Sequence, residues 1–138
     1  AIITDTVGFI RDLPTALIKA FKATLEELEM ADLLLHVVDI SDPLYEEKMK
    51  SVVKILDELQ LGSIPRLLVF NKMDRLSEKY EIRAITERYH GVAVSAVTHA
   101  GIDALMLQLG HKLWQSELIA DNDSWAQEAH AEWQGTSP

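Results

Sequence analysis

Three apolar runs restrict what this chain can become: Leu33-Leu34-Leu35-His36-Val37-Val38, Leu67-Leu68-Val69-Phe70 and Val92-Ala93-Val94. Each has strand length and each runs into a polar residue, Asp39, Asn71 and Ser95 respectively. The first is apolar on both faces, as central strands of parallel sheets are. Helical patterns fill the intervals. Asp42-Pro43 opens one in which Met49, Val52, Val53, Leu56 and Leu59 face inward, and Leu61 to Pro65 stops it. Ser77-Glu78 opens a second, through about Tyr89, and Gly101 precedes a third with Ile102, Leu105, Leu109 and Leu113 on one face. Upstream, Ala1-Ile2-Ile3 reads as the end of another buried strand. A helix starting at Leu13-Pro14 follows, with the stripe Leu17, Phe21, Leu25 and Leu28. Strand and helix alternate throughout, which predicts right-handed βαβ units and an α/β fold with a mostly parallel sheet. In such sheets the functional loops lie beyond the strand C-termini, where Asp5, Asp39, Asn71 and Ser95 all fall.

A chain of 138 residues has length for one core, and the pattern assigns it to residues 1–115. Residues 116–138 carry five acids and no Lys or Arg, more than half of the net charge of −9. Two readings of that tail stand, a short helix begun by the Ser124-x-x-Gln127 box or an unstructured end. The acidic balance argues against nucleic-acid binding driven by phosphate neutralisation. No apolar run reaches the roughly 18–20 residues that span a bilayer, and no secretory signal pattern is present. The absence of cysteine excludes disulfides and thiolate metal sites and fits a cytoplasmic protein.

Chemistry concentrates in three short elements. Asn71-Lys72-Met73-Asp74 follows an apolar strand, and the Asp74 carboxylate can accept two adjacent donors, the ring N1–H and 2-amino group of guanine. Adenine offers neither, and a site built on polar pairing strongly rejects a base lacking its partners. Asn71 would hold the base edge and the neighbouring loops, with the stem of Lys72 along the ring face. Ser95-Ala96, on the next strand, can present a backbone N–H to the 6-oxo group while the serine steadies Asp74. Asp5-Thr6-Val7-Gly8 stands 66 residues before Asn71. Its aspartate can hold Mg²⁺ through water, and its glycine N–H can meet a γ-phosphate. Each element alone is a common turn; in this order and spacing they describe a GTP site. The other polar residues have simpler roles. His36 reads as a hydrogen-bonded core histidine, Asp39 and Asp42 as loop-shaping or capping residues, and the remaining histidines lack ligand spacing.

Around these elements the wording narrows. Asp5-Thr6-Val7-Gly8-Phe9-Ile10, Leu13-Pro14, Ala20-Phe21, Thr24-Leu25-Glu26-Glu27 and Ala31-Asp32-Leu33-Leu34-Leu35-His36-Val37-Val38-Asp39 resemble the HflX family of translational GTPases, from Ala1 to about Leu113. The resemblance implies a P-loop-NTPase-like, Ras-like G domain with helices on both faces of its sheet. It also implies GTP or GDP with Mg²⁺, a cytosolic setting, and action on the large ribosomal subunit in splitting or rescuing ribosomes. Asn71, Lys72, Asp74, Ser95 and Ala96 would form the guanine pocket, and Asp5 and Gly8 the Mg²⁺ and γ-phosphate side. Ras-like enzymes place a water-orienting glutamine directly after this glycine; Phe9 cannot serve so, and no residue here is assigned as catalytic.

One departure is large. None of the six glycines lies in a Gly-x-x-x-x-Gly-Lys-Ser/Thr loop, so the phosphate cradle is missing, and with it the first switch loop. The expectation is a G domain shortened at its N-terminus that reads the base but performs no hydrolysis alone. A non-enzymatic interaction module derived from a G domain, or another GTPase branch in ribosome assembly or tRNA modification, are the alternatives. Without the family's first strand, residues 33–38 become an apolar edge. The edge is expected either to pair with a second copy of the chain or to take in Ala1–Thr4.

Overall fold

The computed structural model describes residues 2–5 and 26–114. Three strands, β1 (Leu34–Asp39), β2 (Arg66–Asn71) and β3 (Val92–Ala93), form one sheet in the order β1-β2-β3. Both pairings are parallel, with Leu34 opposite Arg66, Asp39 opposite Asn71 and Val69 opposite Val92. Helices α1 (Tyr45–Glu58) and α2 (Lys79–Tyr89) connect the strands, and α3 (residues 102–114) follows β3. The parallel α/β architecture expected from the apolar runs is the one observed.

β2 is the middle strand and is covered on both sides, as its unbroken apolar run requires. Phe70, wholly buried, packs with Val38, Ile40 and Met49 beneath α1 and α2. Its ring meets Tyr45 edge-on at 6.5 Å and lies 6.0 Å from Tyr89. Leu67 and Val69 turn the other way and join Val92 and Val94 beneath Ile102, Leu105 and Leu109 of α3. A third cluster, Leu56 and Leu61 with Leu28, Leu34, Val52 and Ile64, closes the lower end of α1. Glu46 ties α1 to α2, accepting from the Tyr89 hydroxyl at 2.8 Å and the Arg88 guanidinium at 3.2 Å.

Helix ends are set locally. Asp42 accepts from the Leu44 N–H at 2.9 Å and pairs with Lys48, so it shapes the turn before α1, which starts at Tyr45. Gln60, in the left-handed region at φ 62°, reverses the chain after α1, and Leu61 N–H then bonds to the Leu56 carbonyl at 2.8 Å. Gly101 has φ 77°, and a Cβ there would sit 2.1 Å from the Ala93 carbonyl oxygen. Only glycine permits that turn into α3.

Several expectations need correcting. β1 is the edge of the described sheet, as expected for residues 33–38, but it is not covered on both sides as its apolar run suggested: Val37 is 60% exposed, whereas its partner Val69 is 3% exposed. The cause is the position of α3, whose apolar face packs on β2 and β3. Residues 2–5 form no strand, and Ile2 and Ile3 are exposed. They therefore neither end a buried strand nor fill the place beside β1. Backbone pairing that would bury them is absent among the described residues. His36 is half-buried, but its imidazole makes no hydrogen bond among the described residues. Burial, reinforced by the nearby Arg66 charge, lowers its pKa below 6.5. Of the helix expected to reach Leu28, the turn Glu26–Met30 is described, as a 3-10 helix. The rest of it lies outside the described residues, as do Gly8, Phe9 and the tail 116–138. No described helix is long and apolar enough to cross a membrane.

Candidate functional site

The ends of β2 and β3 carry the residues expected to read guanine. Asn71 closes β2, and the chain then turns at Lys72, whose φ of 67° and ψ of 32° are left-handed. Holding a lysine there costs roughly 1–3 kcal/mol, so neighbours must fix it. The Asn71 Oδ1 accepts from the Lys72 N–H at 2.8 Å. Met73 N–H donates to the Val94 carbonyl at 3.1 Å, and Met73–Arg75 forms a 3-10 turn clipped onto the neighbouring strand. Val94 N–H in turn donates to the Phe70 carbonyl at 2.8 Å, which carries the pairing past the end of β3.

The same Asn71 oxygen accepts from the Ala96 N–H at 3.1 Å. One side chain therefore joins the loop after β2 to the loop after β3, the bracing role expected of it. Ser95 is wholly buried. Its N–H donates to the Ala100 carbonyl at 2.9 Å, and its Oγ accepts from the Thr98 N–H at 3.1 Å. Among the described residues no bond joins Ser95 to Asp74. The serine is committed to shaping its own loop, because a buried hydroxyl takes the nearest backbone donor. Asp74 is exposed, and its carboxylate accepts no hydrogen bond among the described residues. Ala96 is exposed as well, with its N–H turned to Asn71.

A charged partner missed by the motif completes the cluster. Lys72 Nζ lies 2.5 Å from Asp39 Oδ2, at the end of the adjacent strand. Asp39 Oδ1 accepts from both the Ser41 N–H at 3.0 Å and the Ser41 Oγ at 2.6 Å. Burial pushes the Asp39 carboxyl up, but the bonds from Lys72 and Ser41 outweigh it and hold the pKa below the ordinary value. The signal was present in the sequence, since Asp39 and Asn71 both end apolar runs and parallel strands align such ends.

Asp5 is exposed, and no hydrogen bond or ion pair links it to this cluster among the described residues. Nor do the described residues bring three His, Asp or Glu side chains together as metal ligands. The apolar groove beside α1, lined by Met49, Val53 and Tyr89, shares no residue with the Asn71 cluster. What the cluster offers chemically is a set of polar groups suited to recognition: an open carboxylate, an ammonium held by Asp39, and two braced loops.

No protein-family model matches the chain. Among curated proteins, one named GTPase HflX from Magnetococcus marinus is 42% identical over 137 residues, covering 95% of this chain and 32% of that protein. The GTPase HflX of Escherichia coli is 44% identical over 115 residues, covering 81% and 27%. That of Alkalihalophilus pseudofirmus is 44% identical over 112 residues, covering 81% and 26%. The chain thus spans about a third or less of the length of these relatives. Solved structures of two single-site variants of a protein called SsGBP superpose with TM-scores of 0.70 and 0.72, at 28% and 27% identity. Each covers 83% of this chain and 43% of its own. With its parallel sheet, its helices on both faces and these matches, the chain belongs to the HflX family, corresponding to a part of its G domain.

Proposed function

We propose that this chain is the base-reading part of a guanine-nucleotide-binding protein of HflX type. The observation that carries the reading is the double acceptance by Asn71 Oδ1, which braces the loops after β2 and β3 beside an exposed Asp74. Asp74 takes the N1–H and 2-amino donors of guanine, a pairing that a neutral acceptor could not match in strength. The Lys72 stem lies against the ring, and the Ala96 N–H, handed over from Asn71, meets the 6-oxo group. Ser95 shapes the loop that presents Ala96. Asp5 and Gly8 serve the γ-phosphate side, with water-mediated contact to Mg²⁺ as the role for Asp5.

The whole protein, on this reading, hydrolyses GTP in the cytoplasm and acts on the large ribosomal subunit. The 138 residues alone bind nucleotide weakly or not at all and turn none over. Phosphoryl transfer depends on positioning and charge neutralisation, and no phosphate-cradling loop is written in them. The open edge of β1 favours a second property, pairing of two copies through residues 33–38.

Nucleotide binding tests the central claim. The whole protein, with whatever its gene encodes before Ala1, should prefer guanosine to adenosine diphosphate. Asp74→Asn should exchange guanine preference for xanthine, whose 2-oxo group suits an amide donor. Guanine selectivity unchanged in that variant would refute the role of Asp74.

A further inference from the structure

Asp39 has no place in the reading of guanine just described, yet its carboxylate is the most heavily engaged near the site. One oxygen is held by two donors of Ser41, at 3.0 and 2.6 Å, and the other faces Lys72 Nζ at 2.5 Å. Asp39 is also the register partner of Asn71, so its side chain stands beside the motif by construction of the sheet. Lys72 meanwhile leaves a left-handed turn that Asn71 locks. Both ends of the lysine are therefore fixed, its backbone by Asn71 and its ammonium by Asp39.

We infer that Asp39 is a positioning residue for the nucleotide base: it draws the Lys72 ammonium toward β1 and lays the lysine stem across the strand ends as a platform for the purine ring. The inference deepens the base-reading proposal and rests on it. An untethered lysine stem samples many rotamers, and ordering it on binding weakens affinity. Tethering the ammonium removes that loss before the base arrives. Ser41 matters because a carboxylate already held by two donors does not swing away with the lysine. The pair is partly open to solvent, with side chains 40% and 36% exposed, so the effect is modest, about three- to fivefold in affinity. A platform beneath the ring acts on the purine face and ignores the substituents that Asp74 reads. Guanine and hypoxanthine nucleotides therefore gain equally from it.

Calorimetry with guanosine and inosine diphosphate tests this on the whole protein, with any sequence its gene encodes before Ala1. The variants are Asp39→Asn, Lys72→Met and the two combined. Asparagine keeps an oxygen for Ser41 and loses the charge. Asp39→Asn should weaken both nucleotides by the same three- to fivefold, leave the nucleotide-free protein folded with at most a small drop in melting temperature, and add nothing once Lys72 is methionine. A loss confined to guanosine diphosphate, a full further loss in the Lys72→Met background, or wild-type affinity in Asp39→Asn would overturn the inference. Asp74→Asn separates the two levels. If it loses guanine preference while Asp39→Asn is silent, the base-reading role survives and the positioning role fails. A whole protein that binds neither diphosphate overturns both.

Discussion

Removing the Asn71 side chain should unlock the two loops while sparing the sheet beneath them. Asn71→Ala deletes one acceptor and leaves two backbone donors, those of Lys72 and Ala96, without their 2.8 and 3.1 Å partner. A typical intramolecular hydrogen bond contributes about 1 kcal/mol net. Lys72 is half-buried and Ala96 exposed, so water can reach both freed N–H groups, and the full penalty for a buried orphan does not apply. The expected local loss is therefore about 1–2 kcal/mol, a factor of roughly 5–30 in the opening equilibrium. Amide hydrogen exchange is the direct assay, because it resolves single N–H groups. The Ala96 amide should exchange faster by that factor. The Phe70 and Val94 amides, held within the sheet and its extension, should change far less. Asn71→Asp retains an acceptor oxygen and should keep Ala96 protected, less a few tenths of a kcal/mol for the charge placed beside Asp39. Ala96 exchange unchanged in Asn71→Ala would refute the bracing role. So would equal deprotection in Asn71→Asp, which would show that the amide hydrogens rather than the oxygen hold the loops.

Other expectations concern pH, a turn and the open edge. His36 has its pKa lowered from 6.5 by burial and then by Arg66, so the unfolded chain binds the proton more readily. Stability is accordingly full above about pH 6.5 and falls as pH drops toward the folded-state value. Urea titrations at pH 5 and pH 7 should show that difference, and His36→Leu should reduce it; an undiminished step would place its origin elsewhere. Gly101→Ala forces a Cβ to within 2.1 Å of the Ala93 oxygen at φ 77°. It should lower the urea midpoint by the equivalent of roughly 1–3 kcal/mol, and an unchanged midpoint would show that the turn can relax. Val37→Lys places a charge on the exposed face of the edge strand β1. If two copies pair there, sedimentation should find dimers in the parent chain and monomers in the variant; the same distribution in both would exclude that edge.

Much of the fold was legible because its signals are local. The runs ending at Asp39, Asn71 and Ser95 define three parallel strands, and the stripes between them define helices that pack where their periodicity directs. The candidate site was legible in part for the same reason, since Asn71 closes β2 and Lys72, Asp74, Ser95 and Ala96 follow strand ends, which parallel pairing brings side by side. What escaped notice depends on pairing across the sheet. The Lys72–Asp39 ion pair spans 33 residues of sequence, and neither residue's immediate surroundings name the other. Ser95 was expected to serve Asp74, but its hydroxyl goes to Thr98, three residues away, because a buried serine satisfies itself within its own turn. Hydropathy alone does not show which face of β1 is open. Leu35 and Val37 are as apolar as Leu67 and Val69, and exposure is decided by where α3 stands.

The order β1-β2-β3 also bears on how the site comes into being. Strand order in space repeats strand order in sequence, so each new strand pairs with the one made just before it. Only 32 residues separate Leu34 from its partner Arg66, and 23 separate Val69 from Val92. Loops of that size close at modest entropic cost, and topologies of short separation fold quickly. During synthesis the Asp39–Lys72 pair becomes possible once β2 has formed, and the Asn71–Ala96 brace once β3 has joined it. The Asn71 cluster is then assembled stepwise from its lysine to its final loop, in the direction in which the chain is made.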